Sequence, residues 1–164
     1  MKPLLEVSSE RRRYIPIGFV EPGALCSNLV RLMPDATRYH FGVLQSRLHN
    51  AWVRAVAGRL EGRFRYSAGV VYNNFIWPDI SKEREQHIAE LAQSVLDARE
   101  TYSDATIAQL YDPDNDWMYP ELRAAHNALD AEVERAYGLE PSVDEKVIVE
   151  RLFQLYAKVL MLSN

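Results

Sequence analysis

Three features of the sequence predict an α+β fold that is mostly α. β-favouring residues interrupted by Pro and Gly are concentrated in the first 35 residues, whereas helical periodicity dominates after Phe41. An apolar content of 48% and a charged content of 26% are typical of a globular protein, and 164 residues suffice for one ordinary domain, or for the end of one domain plus a small second unit. We therefore expect short strands and a long helix, followed by a small C-terminal helical bundle.

The first half contains three candidate strands. The segment Arg11–Val20 is rich in β-favouring side chains, and Pro16 within it favours an edge strand. Glu21–Gly23 is a predicted turn, and Leu25–Met33 is a predicted second strand. Val70–Phe75 is a candidate for one more strand.

The long helix is predicted between Phe41 and Leu60, where the apolar period becomes helical. The residues on its apolar face are Phe41, Leu44, Leu48, Trp52, Ala55 and Val56. Gly58 is a plausible stop for this helix. Arg47 and Arg54 are seven residues apart, so they lie on one side of the helix, away from much of the apolar face.

The second half consists of predicted helices only. Ser81 is the expected N-cap of the first, a short helix follows near 104–110, and a third ends at Gly138 after starting at 120. A last helix is predicted over 142–162, with an inward face of Val147, Ile148, Leu152, Leu155, Val159 and Leu160. The composition changes near Asp79, which predicts two domains, 1–78 and 79–164.

Basic and acidic residues are distributed unevenly along the chain. Residues 1–66 hold 11 Lys and Arg against 5 Asp and Glu, a net charge of +6. Residues 67–164 hold 8 against 18, a net charge of −10, which gives the −4 of the whole chain. This asymmetry predicts that only the first half contacts a polyanion, with two merely solvated faces as the alternative.

The sequence contains no complete catalytic or metal-binding motif. Asp112, Asp114 and Asp116 match the first ligands of an EF-hand loop, but Trp117 replaces its Gly and Arg123 replaces its Glu. The four His residues lack the spacing of a metal-ligand pair on one helical face, and no Gly-rich loop follows a strand. We expect neither a catalytic residue nor a metal site in this chain.

Targeting signals are also missing from the sequence. No apolar run approaches the roughly 18 residues of a membrane span, and the first 20 residues lack the apolar segment of a signal peptide. The single Cys26 cannot form an internal disulfide, and a small buried filler is favoured over a catalytic thiol. These observations predict a cytoplasmic protein without a membrane partner.

A short connector after the long helix carries alternating charges. It contains Arg59, Glu61, Arg63 and Arg65, interleaved with aromatic residues. Alternate arginines suit contacts to phosphate or guanine, and Glu can accept from the amino group of cytosine. Glu61 and Arg63 could therefore read one C·G pair, although the residues alone favour a surface salt bridge between them.

Several short motifs follow one another in a recognisable order along nearly the whole chain. In the first half they are Arg13–Phe19, Tyr39–Leu44, His49–Val56, Gly58–Leu60, Arg65–Ser67 and Tyr72–Pro78. In the second half they are Leu91–Gln93, Leu96–Arg99, Leu110–Pro113 and Pro120–His126. In this order they resemble the C-terminal part of MmeI-like enzymes, which are single-chain bacterial restriction-modification proteins.

The resemblance implies a division of the chain into two known parts. In this family one polypeptide holds a nuclease domain, an adenine-specific DNA methyltransferase domain and a target-recognition domain. Residues 1–78 would be the last part of the target-recognition domain, and 79–164 the helical C-terminal domain. Glu61 and Arg63 would occupy variable positions that contact a base pair in the major groove.

The resemblance also implies that other parts of such an enzyme are missing here. The sequence lacks the Asn-Pro-Pro-Tyr-type methyltransferase motif, the glycine-rich S-adenosylmethionine motif and the nuclease lysine–carboxylate set. We therefore expect a fragment, a truncated gene product or a separate specificity-like piece. S-adenosylmethionine and a divalent metal are expected for the parent enzyme, and no cofactor for this chain.

The expected function is DNA recognition and scaffolding within a restriction-modification DNA methyltransferase. The expected DNA-binding residues are Arg47, Arg54, Arg59, Glu61, Arg63 and Arg65. The expected partners are double-stranded DNA and the methyltransferase and upstream recognition domains of the parent enzyme. The alternative is a helical interaction module that packs on partner domains and does not bind DNA itself.

Overall fold

Helices dominate the computed structural model, which describes residues 4–5, 7–9, 11–20, 30–60 and 63–162. Its strands are β1 (Leu4–Leu5), β2 (Val7–Ser9), β3 (Val30–Arg31), β4 (Gly58–Leu60) and β5 (Arg63–Arg65). Its α-helices are α1 (Arg38–Gln45), α2 (Arg47–Val56), α3 (Lys82–Thr101), α4 (Ile107–Leu110), α5 (Pro120–Ala136) and α6 (Glu145–Leu162). This architecture confirms the predicted, mostly helical α+β class.

The strands form two small antiparallel ladders. β1 pairs with β3, and in the second ladder β5 lies between β2 and β4. The predicted strand at 25–33 therefore includes β3, while its residues 25–29 lie outside the described part. Cys26, Glu61 and the predicted turn Glu21–Gly23 lie outside it as well.

The single long helix predicted between Phe41 and Leu60 is wrong, because the helix breaks at Ser46. This residue has an extended backbone (φ −68°, ψ 158°), and it ends α1 and begins α2. Its hydroxyl donates to the carbonyl of Val43 at 2.7 Å and accepts from the N–H of His49 at 3.3 Å. Ser46 therefore satisfies backbone groups on both sides of the break. Along the predicted apolar face, Phe41, Leu44, Leu48 and Trp52 are buried, whereas Ala55 is exposed.

Two predicted strands of the first half are also wrong. Residues 70–75 are not extended: Ala68–Tyr72 forms a π-helical turn, and Asn73 donates to the carbonyl of Ala68 at 2.8 Å. The segment 11–20 makes an isolated bridge at Ile17 rather than a strand. Its buried backbone N–H groups donate to side chains of α1 and α2 instead of to a neighbouring strand.

The helices of the second half agree with the sequence pattern. Ser81 caps α3 by accepting from the N–H of Arg84 at 3.3 Å. α5 ends in a Schellman motif, in which Gly138 (φ +73°) donates to Arg135 and Leu139 donates to Glu134, both at 3.0 Å. A 3₁₀-helix, Pro113–Met118, links α4 to α5.

The two halves pack through a close approach of α1 to α3. A Cβ atom added to Gly42 would lie 3.0 Å from the Cβ of Ala92 and 3.0 Å from the Cγ2 of Ile88. Only glycine permits this spacing without a shift of α3, because protein cores leave little spare room. One hydrophobic core extends through both halves, from Phe41 and Leu48 to Leu152.

The inward face predicted for the last helix is only partly buried. Ile148 and Leu152 are buried and Leu155 is partly buried, as expected. The prediction is wrong for Val147, Val159 and Leu160, which are 40%, 44% and 49% exposed. The last two turns of α6 therefore continue the apolar pattern beyond the core. Among the described residues, no helix is both long and apolar enough to cross a membrane.

Candidate nucleic-acid interface

The charged connector of the sequence is a β-hairpin. β4 and β5 pair antiparallel, with the Cα of Arg59 opposite that of Phe64. β2 pairs with the other side of β5, so that β5 is the central strand of the three. Glu61, in the link between β4 and β5, lies outside the described residues.

Exposure alternates along β5. Arg63 and Arg65 are exposed, whereas Phe64 between them is 5% exposed and belongs to the core. Since successive side chains of a strand point to opposite faces, the two arginines share one face and Phe64 occupies the other. The two arginines therefore lie on the exposed face of β5, and Phe64 packs the opposite face of the strand against the core.

The anchor beneath the hairpin is a buried cluster around His49 of α2. The Nε2 atom of His49 lies 3.0 Å from the hydroxyl of Tyr66, which follows β5 directly. The ring of His49 also meets that of Phe75 edge-on, with centroids 4.5 Å apart. Burial lowers the pKa of His49 to about 3, so that the imidazole is neutral at pH 7. The cluster therefore fixes the strand without placing a charge in the core.

Arg47 faces the C-terminal half of the chain. Its Nη1 atom lies 2.6 Å from Oε1 of Glu134, a carboxylate that is 1% exposed, and its Nη2 atom donates to the carbonyl of Val143. The other oxygen of Glu134 accepts from the N–H of Ser142 at 2.6 Å. Arg47 thus ties the start of α2 to α5 and to the α5–α6 loop.

Arg54 makes a similar connection at the other end of α2. Its Nε and Nη2 atoms each donate to one oxygen of Glu145 at 2.8 Å, in the bidentate geometry of strong arginine–carboxylate pairs. Glu145 is the first residue of α6. Six residues are predicted to contact DNA. Arg63 and Arg65 share an exposed face, and Arg59 belongs to the adjoining strand. Arg47 and Arg54 bind the helical bundle, and Glu61 lies outside the described residues.

Two buried amides that the sequence pattern does not indicate hold the segment 11–20. The N–H of Ile15 donates to Oδ1 of Asn50 at 2.6 Å, and the N–H of Ile17 donates to Oε1 of Gln45 at 3.1 Å. Both amide side chains are at most 1% exposed. In the sequence they are two amide residues five apart among mostly polar neighbours, and no local pattern marks them as buried.

Asp130 of α5 is a further buried polar group that the sequence pattern does not indicate. Its carboxylate accepts from the hydroxyl of Tyr14 at 2.6 Å and from the N–H of Arg47 at 2.7 Å. Arg13 lies 3.7 Å away. Burial outweighs these favourable contacts and raises the pKa of Asp130 to about 6. Asp130 therefore joins three segments that are distant in sequence.

The aspartates that resemble an EF-hand have ordinary structural contacts. Asp112 caps the 3₁₀-helix by accepting from the N–H of Asp114 at 3.0 Å. Asp114 pairs with Arg11 at 3.1 Å, and Asp116 lies 3.7 Å from Arg123. Within the described ranges, no group of three or more His, Cys, Asp or Glu side chains could hold a metal ion.

Comparison with known proteins identifies both halves of the chain. The family model for the target recognition domain of MmeI matches residues 3–79, and the model for the C-terminal domain of MmeI matches residues 80–162. A relative from Bacillus subtilis (strain 168), DNA methyltransferase A, is 43% identical over 153 residues, which are 93% of this chain and 17% of the relative.

A solved structure of the same family agrees closely with this fold. The type IIL restriction-modification enzyme MmeI in complex with DNA matches with a TM-score of 0.92 at 41% identity. The match covers 98% of this chain and 21% of that one. The chain thus spans about a fifth of the length of these relatives. It belongs to the MmeI family of restriction-modification DNA methyltransferases, within which it carries a target recognition domain and a C-terminal domain.

Proposed function

We propose that this chain recognises double-stranded DNA through the β4–β5 hairpin and serves as the scaffold of that hairpin. The observation that carries the proposal is the exposed pair Arg63 and Arg65 on a strand whose opposite face is buried. The similar enzyme MmeI was solved in complex with DNA, which supports a DNA-binding role for this region. Arginines on a rigid strand suit contacts to phosphates and to base edges.

Within the hairpin, Glu61 and Arg63 are the proposed base readers. A glutamate can accept from the N4 amino group of cytosine, and an arginine can donate to O6 and N7 of its partner guanine. Glu61 and Arg63 are only two positions apart in the sequence, a separation short enough for both to be proposed for one base pair. Arg59 and Arg65 would then hold the hairpin on the DNA backbone.

The proposed role of Arg47 and Arg54 differs from the one expected from the sequence. The DNA contact that the sequence predicts for these two arginines stays a prediction. Each guanidinium already binds a carboxylate of the bundle. We propose that they orient α2, which in turn supports the hairpin through His49 and Tyr66. In this proposal the acidic second half does not contact DNA but holds the β4–β5 hairpin in place.

A salt titration tests DNA contact by the hairpin. Fluorescence anisotropy of a labelled duplex measures the affinity of the chain between low and moderate salt. If Arg59 and Arg65 each contact a phosphate, replacing both with Gln reduces the slope of log affinity against log salt by about 2. The matched control replaces Lys146 and Lys158, two exposed cations of α6, and leaves the slope unchanged. Equal slopes for both double variants would contradict the proposal.

We further propose that the chemistry of such an enzyme is carried out by residues outside this sequence. Methyl transfer from S-adenosylmethionine and metal-dependent cleavage need motifs that these 164 residues do not contain. The methyltransferase and upstream recognition domains are then the protein partners of this chain. Its own contribution is to select the DNA sequence.

The exposed apolar end of α6 favours a second candidate function, an interaction module for partner domains. Phe153 is 46% exposed, Met161 is 79% exposed and Leu162 is 88% exposed. Contiguous exposed apolar side chains are typical of protein interfaces. The two candidates differ in the salt titration, because an interaction module alone would show no salt-dependent DNA binding.

A further inference from the structure

A cleft of about 420 Å³ lies where the segment 11–14 meets the 3₁₀-helix and α5. Its charged lining is predominantly basic, with the aspartates Asp112 and Asp116 set against five arginines. The five are Arg11, Arg12, Arg13, Arg54 and Arg123. This lining favours an anion over a cation or an apolar ligand. We call it the arginine cleft.

Arg11 pairs with Asp114 and Arg54 with Glu145, whereas the other three arginines of the cleft keep donors beyond their present contacts. Arg13 uses its Nη2 atom for Asn127 and Asp130, and Arg123 uses its Nη1 atom for Asp116 at 3.7 Å. Arg12 makes no hydrogen bond or ion pair with any residue in the described part of the chain. Because a guanidinium has five N–H donors, these side chains can bind a further acceptor without losing their partners.

A buried histidine supplies a second, independent feature of the arginine cleft. His126 is 2% exposed and lines the cleft, and its Nδ1 atom is buried without a hydrogen-bond partner in the described residues. The hydroxyl of Tyr111 accepts from two nitrogens of Arg99 at 2.8 and 2.6 Å, so its own hydrogen is donated to Nε2 of His126, 2.7 Å away. Burial lowers the pKa of His126 to about 3, so the ring is neutral and its single hydrogen is on Nδ1. A residue that lines the cleft therefore carries a buried N–H donor that has no acceptor in the described part of the protein.

We propose that the arginine cleft binds a phosphate group. Phosphate offers several acceptor oxygens, and arginine forks match its geometry better than they match a single-acceptor ligand. The phosphate comes either from a DNA backbone or from a small phosphate compound. The cleft uses residues other than those of the hairpin, so the proposal stands independently of base reading by Glu61 and Arg63.

NMR of ¹⁵N-labelled histidine rings in the 164-residue chain tests this proposal. Inorganic phosphate is titrated against chloride at matched ionic strength, and a short duplex is titrated separately. The expected result is a shift of the His126 ring resonances with at least one titrant. In the phosphate titration His49 is the internal control, because its Nδ1 atom is also buried without a partner in the described residues but His49 does not line the cleft.

The two titrants distinguish the source of the phosphate. A His126 shift with the duplex assigns a backbone phosphate, and a shift with inorganic phosphate alone assigns a small phosphate compound. Replacing both Arg12 and Arg123 with Gln should weaken the response about tenfold or more, whereas Lys158→Gln should not change it. An unchanged His49 spectrum shows that the variants are folded. The proposal would be overturned by no His126 shift with either titrant, by equal shifts of both histidines with inorganic phosphate, or by an undiminished His126 shift in the Arg12 and Arg123 double variant.

Discussion

At the scale of single residues, buried polar groups join the segments of this chain. Asp130 accepts from Tyr14 at 2.6 Å and from the backbone of Arg47 at 2.7 Å, although the two donors are 33 positions apart. Glu134, one helical turn further along α5, binds the side chain of Arg47 at 2.6 Å. Buried polar groups with satisfied hydrogen bonds specify one arrangement of a core, because unpaired alternatives are costly.

The raised pKa of Asp130 leads us to expect an unusual pH dependence of the free energy of unfolding. Its pKa is about 6 in the folded chain, above its ordinary value of 3.8, so the folded state binds the proton more tightly than the unfolded state. Its contribution to the free energy of unfolding therefore rises as the pH falls from about 7 to about 4. We expect the stability of the wild type, relative to Asp130→Asn, to increase by on the order of 2 kcal/mol over that range.

Urea unfolding of both proteins at several pH values measures this difference. Subtracting the variant removes the opposite contributions of ordinary carboxylates, which lose their ion pairs at low pH. A difference that stays constant between pH 7 and pH 4 would show that Asp130 is not held in a raised-pKa state.

Truncating the side chain of Arg47 is expected to lower the free energy of unfolding of the chain strongly. Arg47→Met leaves Glu134, 1% exposed, as a buried carboxylate without its cation. Breaking one partner of a buried ion pair costs about 3–5 kcal/mol. Chemical denaturation should show this loss, while Arg63→Met, at an exposed position of β5, should change stability by less than about 0.5 kcal/mol. Similar small effects for both variants would sink the scaffold role of Arg47.

At the scale of elements, the helix ends were more predictable than the helix breaks. Ser81 and Gly138 carry local capping chemistry, so the sequence predicts the start of α3 and the end of α5. The break at Ser46 is not predictable in this way, because the apolar pattern runs through it. A buried serine that caps one helix and ends another depends on tertiary packing, which periodicity does not record.

The contact of α1 with α3 predicts the outcome of Gly42→Ala. Helix propensity alone would favour Ala by about 1 kcal/mol. The new Cβ would, however, lie 3.0 Å from both Ala92 and Ile88, so overpacking should win and destabilise the chain by about 1–3 kcal/mol. Gly18→Ala is the matched control, because a Cβ there meets no atom within 4 Å. Urea midpoints of the two variants give the comparison, and a stabilised Gly42→Ala would contradict the tight packing.

At the scale of the whole molecule, part of the charge asymmetry is used inside the chain. Basic residues of the first half bind acidic residues of the second in the pairs Arg13–Asp130, Arg47–Glu134 and Arg54–Glu145. Part of the uneven charge therefore belongs to two surfaces that fit each other, and only the rest is available to the DNA-facing surface proposed above. Composition cannot separate these uses, because the partners lie more than 80 residues apart.

The candidate interface was predictable only in its local part. Alternating arginines around an aromatic residue at 63–65 are visible in the sequence, and the alternation of β5 places them on one face. The other strand that pairs with β5 is β2, residues 7–9, which lies far upstream. Local sequence patterns around the hairpin do not predict this long-range pairing. The apolar end of α6 was predicted to be inward, since periodicity shows which face is apolar but not where the core ends.

Exchanging the two base readers tests base reading by the hairpin most directly. In a full-length family enzyme that carries this chain as its recognition region, Glu61→Lys is combined with Arg63→Asp. A lysine at position 61 can bind guanine and an aspartate at 63 can accept from cytosine, so the preferred pair should change from C·G to G·C. Mapping of methylated sites in a random DNA library should show this change at one position of the recognition sequence and at no other. An unchanged recognition sequence in an active enzyme would contradict base reading by Glu61 and Arg63.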